Sequence, residues 1–154
     1  LGELDAALTT APETRLAGLR ARVAAREPLE VIAPAGAGPS DAAALLADRP
    51  FIWFSRRTWA GRAIERALAA RGVAVAAAME VDSLEAVEAL VRHGLGVSVV
   101  PRRAGAARAG LAAAPFGDPP LERALSLLER PRHSRARLAD ALFAALSEGQ
   151  ASGA

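Results

Sequence analysis

The run VDSLEAVEALVRHGLGVSVVP, from Val81 to Pro101, dictates much of what this chain can become. Asp82 or Ser83 can cap a helix, and Glu85 stands three residues after Asp82, the spacing of a capping box. Leu84, Val87, Leu90 and Val91 recur at a helical period and form one apolar face. Gly94 sits where a left-handed residue ends a helix, and Gly96 opens the next element. Val97, Val99 and Val100 make a β-branched run that Pro101 closes, because proline cannot continue a central strand. A capped helix feeding a continuous apolar strand is half of a βαβ crossover, which requires a parallel sheet. Ligands of such sheets bind at the loops that follow the carboxyl ends of the strands.

The neighbouring segments extend this unit. Phe51 to Phe54 (FIWF) reads as a buried strand, Trp59 to about Arg71 as a helix stopped by Gly72, and Val73 to Val81 as another strand. Together they predict a complete βαβαβ lobe from Phe51 to Val100. Upstream, LDAALT (Leu4 to Thr9) reads as a short strand followed by a polar loop. Leu16, Leu19 and Val23 allow a short helix or ordered loop, stopped before Pro28, and LEVIA (Leu29 to Ala33) is a second strand. Pro34 to Pro39 (PAGAGP) has the turn-forming composition of a hinge. A small helix over Asp41 to Ala47 follows, with Ser40 as its cap. Downstream, Leu111 to Phe116 reads as an edge strand and Leu121 to Leu128 as a strand crossing back into the first lobe. A final helix follows Ser134, with Leu138, Leu142, Phe143 and Leu146 on its apolar face. The expected organisation is residues 1–33 with 121–147 as lobe I, 34–39 as hinge, 40–120 as lobe II, and 148–154 as a disordered tail.

Composition removes several functions. Apolar residues make up 52% of the 154, enough for a core, and the single chain has room for one ordinary domain or two small lobes. All nineteen basic residues are arginine, yet they are interleaved with acids to a net charge of only +2, so no nucleic-acid face stands out. The absence of cysteine excludes disulfides, thiolate metal sites and a cysteine nucleophile. No apolar run approaches membrane-spanning length, and the expected location is the cytoplasm. The chain opens at Leu1, inside what looks like an ordered element, and reads as a fragment.

Candidate chemistry gathers at the strand-end loops. Ser55 and Thr58 offer hydroxyls, Arg56 or Arg57 a guanidinium, and the following helix its unpaired amides, a combination suited to a carboxylate or other small anion. The structural alternative is that Ser55 and Thr58 only cap a helix while the arginines lie in solvent. Asp82 and Ser83 are explained by capping, although their loop lies at the same sheet end. Trp53 belongs to a core strand, and Trp59 is open to core or ligand stacking. No catalytic constellation emerges. His93 stands at a helix C-terminus and His133 in a basic, solvated loop, with no metal-ligand spacing between them. Glu85 and Glu88 share a helix face expected to be in solvent. Gly94-Leu95-Gly96 leads into a strand, not a helix, and cannot cradle phosphate. No metal or cofactor is expected.

The 81–101 stretch resembles the LysR-type transcriptional regulators, in their effector-binding domain. LGELDAALTTAP, EPLEVIAPAG, RPFIWFSRRTWAGRAIERALAARG and ALSLLERPRHSRARLADALFAAL agree with that family in kind and order. The resemblance implies an α/β fold like the type II periplasmic binding proteins, two Rossmann-like lobes joined by crossing hinge segments, with the first lobe incomplete. It implies a small-molecule effector in the inter-lobe cleft, a homo-oligomer (dimer or tetramer), and DNA contact only through an N-terminal helix-turn-helix that this chain lacks. By resemblance Thr9 and Thr10, Thr10 being the better match, would join Ser55, Arg56, Thr58, Asp82, Ser83 and Pro101 around an effector such as a carboxylate or aromatic acid. The alternative is a solute-binding protein of the same fold serving transport. An enzyme on that fold stands third, for want of an acid–base pair.

Overall fold

The computed structural model describes residues 4–10, 16–37, 41–47, 49–103 and 109–151. It divides into two compact units, one over Leu1–Glu27, Arg103–Gly105 and Arg123–Ala154, the other over Pro28–Arg102 and Ala106–Glu122.

The second unit is built on the stretch from Val81 to Pro101. Strand β3 (Pro50–Phe54) pairs in parallel with β4 (Ala76–Val81), in register from Pro50 with Ala76 to Phe54 with Val81. Its other edge meets Val97, which donates to the Pro50 carbonyl at 2.9 Å and accepts from the Ile52 amide at 2.8 Å. Strand β5 (Ser98–Pro101) continues from there and pairs antiparallel with β2 (Arg20–Pro34). A further strand, β6 (Leu111–Pro115), lies antiparallel to β2 as well.

Side-chain alternation divides the core between two faces. Phe51, Trp53, Val97, Val99, Leu29, Val31 and Ala33 pack with Ile64, Ala67 and Leu68 of helix α2 (Trp59–Ala70) and with Leu45 and Leu46 of helix α1 (Ala42–Leu46). Ile52, Val100 and Ile32 face the other way, against Leu84, Val87 and Val91 of helix α3 (Leu84–Arg92). Both faces of the sheet are thus covered, as its near-continuous apolar strands require. Strand β4 forms the edge, and five of its six residues are exposed.

In the first unit, β1 (Ala6–Thr9) pairs antiparallel with β7 (Glu122–Glu129), which lies beside β2. Helix α4 (Ala136–Ala151) joins them through charge. The buried Glu129 carboxylate faces Arg20 at 2.8 Å and Arg22 at 3.0 Å, and Arg22 also reaches Asp140 of α4 at 2.7 Å while its guanidinium lies over the Phe143 ring.

Several expectations need correction. No helix or loop separates two strands around Val23: from Arg20 the chain is one strand of 15 residues, and Pro28 lies inside it. A proline lacks only its amide, and the Pro28 carbonyl still accepts from Arg102 at 2.7 Å. Asp41 caps α1, its carboxylate accepting from the Ala44 amide at 2.7 Å; Ser40, the expected cap, is outside the described residues. The final helix runs on to Ala151, so the expected disordered tail is helical that far; its sequence to Ser147 is rich in alanine and leucine, strong helix formers. Its buried face is shifted too: Ala139 is buried while Leu138 is 66% and Leu142 45% exposed. His133 is not solvated, since its side chain is 4% exposed with Nε2 at 3.3 Å from Glu129. Glu88, expected in solvent, is buried on α3.

Candidate functional site

Phe54 and Val81 end paired parallel strands, so the Ser55–Thr58 and Asp82–Ser83 loops leave the sheet side by side. Ser55 is the hinge of its loop. Its amide donates to the Val81 carbonyl at 2.9 Å, and its backbone adopts φ of +26°, strained for a residue with a side chain. Gly61 permits this turn: a Cβ there would stand 2.3 Å from the Ser55 carbonyl oxygen.

Thr58 closes the turn onto α2. Its hydroxyl donates to the Ser55 carbonyl at 2.8 Å and accepts from the Gly61 amide at 3.0 Å, a helix N-cap. Thr58→Val keeps the shape and removes both bonds; it is expected to cost about 1 kcal/mol in urea denaturation, and an unchanged midpoint would contradict the capping role. Ser83 caps α3 in the same way, accepting from the Ala86 amide at 3.3 Å and donating to Glu85 at 3.0 Å. The capping reading therefore accounts for both hydroxyls.

Arg56 is committed as well. Its guanidinium pairs with Glu65 of α2 and lies 4.8 Å above the Trp53 ring, and its amide donates to Glu80 of β4 at 2.8 Å. Trp53 is buried in the core as expected, edge-on to Phe51. Trp59 is half-buried at the start of α2. Pro101 is buried opposite Leu29 at the end of β5. Asp82 is exposed, and Ser55 is half-buried with no side-chain partner among the described residues. Thr9 and Thr10, both half-buried, belong to the first unit, with Thr9 paired to Ser126 across β1 and β7.

Glu65 and Glu80 were not singled out by the sequence, although they decide what Arg56 can do. Glu80 stands one residue before the end of β4, and only the parallel register against β3 brings it beside the loop. No cluster of His, Asp or Glu that could hold a metal is found among the described residues.

The family model described as the LysR substrate binding domain matches residues 1–151. The chain is similar in structure to a reduced form of OxyR from N. meningitidis, at 21% identity and a TM-score of 0.75, covering 99% of this chain and 75% of that one. It is similar also to the Synechocystis PCC6803 CcmR regulatory domain in complex with 2-PG, at 21% identity and a TM-score of 0.72, covering 96% and 74%. The effector binding domain of QuiR in complex with shikimate gives 19% identity and a TM-score of 0.72, covering 97% and 71%. The chain spans about half of longer OxyR chains, 50% of one from Corynebacterium glutamicum and 52% of the full-length chain from Pseudomonas aeruginosa. No curated protein sequence matches.

Proposed function

The chain belongs to the LysR substrate-binding domain family, and from that premise we propose that it senses a small-molecule effector for a transcription regulator. The observation that carries the reading is the family match over residues 1–151, on a fold whose second unit brings two strand-end loops together. The proposed contacts are Ser55, Arg56, Thr58, Asp82, Ser83 and Pro101 in the second unit, and Thr9 and Thr10 in the first. Since Thr58 and Ser83 spend their hydroxyls on caps and Arg56 its guanidinium on Glu65, Ser55 is the side chain in this set with most to offer.

The mechanism is a population shift. An effector that binds one conformation better than another moves the equilibrium by its differential affinity, and the whole protein reads that shift at DNA through a helix-turn-helix domain. The regulator family favours this over the transport reading, and sensing needs no catalysis. We place the protein in the cytoplasm; no helix among the described residues is long and apolar enough to cross a membrane.

A thermal-shift screen of small molecules tests the proposal. An effector at a hundred times its dissociation constant stabilises the domain by about 2.7 kcal/mol, a shift of several degrees. Ser55→Ala should weaken a hit tenfold or more. A flat response across a broad library would count against effector sensing.

We also propose self-association through α3 or the neighbouring β4. Strand β4 is an edge with Ala76, Ala77, Ala78 and Met79 exposed, the sort of apolar edge that soluble proteins pair or cover. Light scattering should show a dimer or larger that Ala78→Glu shifts to monomer. A wild-type monomer at high concentration would contradict this interface.

A further inference from the structure

We infer that the effector meets the Ser55–Thr58 loop with an uncharged hydrogen-bonding group, a hydroxyl or a primary amide, and not with a carboxylate. The inference rests on the effector-sensing reading above and narrows its ligand class.

The loop at first looks made for an anion, with two arginines, two hydroxyls and a helix N-terminus. The donors of Arg56, Thr58 and Ser83 already have partners, while the Arg57 side chain lies exposed. The Arg56 guanidinium is held by Glu65 and lies against Trp53. The Arg56 amide, in the loop that leads to α2, is taken at 2.8 Å by the Glu80 carboxylate of β4. The Thr58 hydroxyl is closed between the Ser55 carbonyl and the Gly61 amide, and the Ser83 hydroxyl between Glu85 and the Ala86 amide. Glu80 is thus the anion this loop already binds, supplied by the protein itself.

The groups left over point the same way. Ser55 keeps a half-buried hydroxyl with no partner among the described residues, on the strained backbone that opens the loop. Asp82, exposed at the next strand end, brings a further carboxylate. Around the two loops, Glu65, Glu80, Asp82 and Glu85 stand against Arg56, Arg57 and Arg62, whose guanidinium donates to the Arg57 carbonyl, so the local charge gives an arriving carboxylate no net attraction. A hydroxyl or amide needs no such attraction. It can accept from or donate to Ser55, and can donate an N–H or O–H to the Asp82 carboxylate, which has no hydrogen of its own to donate.

Matched ligand pairs that differ only in this group provide the test. The 154-residue chain is titrated with benzamide against sodium benzoate and with glycolamide against sodium glycolate, following the backbone amides of Ser55 to Thr58 by NMR. The expected result is saturable shifts with at least one amide, binding tenfold or more tighter than its acid, and lost in Ser55→Ala. Glu65→Ala combined with Glu80→Ala frees the guanidinium and the amide of Arg56, and should raise affinity for the acid by tenfold or more. Tighter binding of benzoate or glycolate to the wild-type chain overturns the inference and leaves effector sensing intact. If neither member of either pair moves these amides in the wild type or the double variant, the loop is not a ligand site, and the effector reading of it falls with the inference.

Discussion

Gly96→Ala is expected to destabilise the protein by about 4 kcal/mol, a large part of the roughly 5–15 kcal/mol that holds a domain folded. A Cβ at Gly96 would stand 2.3 Å from the Pro50 carbonyl oxygen, and backbone cannot swing aside as a flexible side chain can. That oxygen accepts from the Val97 amide at 2.9 Å, and the adjoining bond from the Ile52 amide to Val97 spans 2.8 Å. Relieving the clash means parting β3 from the start of β5 where Phe51, Ile52 and Val97 are fully buried. Each buried backbone group left unpaired costs about 1–3 kcal/mol. Gly94→Ala is the control. Gly94 has φ of +79°, and a Cβ there would meet nothing within 4 Å, so only the left-handed conformation is penalised, by about 1 kcal/mol. Urea denaturation of both variants separates the two effects, and equal losses would contradict a close approach at Gly96.

Truncating either side of the Arg123–Glu27 pair should cost about 3–5 kcal/mol, because each change strands a buried charge. The side chains are 10% and 5% exposed, and they tie β7 to β2 immediately beside the points where both strands pass from one unit to the other. Glu27→Ala leaves the guanidinium with no carboxylate among the described residues, and Arg123→Ala likewise removes the cation from Glu27. Replacing both together, Glu27→Leu with Arg123→Met, should recover most of the loss, since a packed apolar pair avoids the desolvation penalty that the ions carry. A double-mutant cycle in urea reads the coupling directly. Single variants within about 1 kcal/mol of wild type, on the order of a surface ion pair, would show that the pair is effectively solvated.

The second unit was legible in the sequence because local rules and packing agree there. Caps at Thr58 and Ser83, the glycine stop at Gly94 and the β-branched run at Val97 each specify an element by themselves, and alternation in FIWF places Phe51 and Trp53 against one helix layer and Ile52 against the other. Elsewhere tertiary partners override local signals. Pro28 reads as a stop, yet β2 carries it because its carbonyl alone is used. Leucines on the last helix read as its buried face, yet it is Ala139 that is buried, next to Asp140, which pairs with Arg22. His133 reads as solvated because nothing in its basic surroundings reveals Glu129, four residues earlier on β7.

The candidate site shows the same division. Sequence identified which residue types stand at the strand ends, and the parallel register brings Ser55 and Asp82 to neighbouring positions. It could not show that Arg56 is already taken, since Glu65 and Glu80 reach it from a helix and a strand that only the fold assembles. Spacing along the chain carries no information about such commitments. In the loop that reads as an anion site, the folded unit engages the guanidinium and amide of Arg56 with its own Glu65 and Glu80.

The most direct test of effector sensing at these loops is to map a bound effector on the protein, by amide and methyl NMR with any ligand that raises the melting temperature. The expected result is saturable perturbation at Ser55 to Thr58 and at Asp82 to Ser83, the strand ends of β3 and β4, weakened tenfold or more by Ser55→Ala. Perturbations confined to the opposite end of that sheet, around Pro50 and Ala76, or to the exposed face of α4 at Leu138 and Leu142, would contradict it.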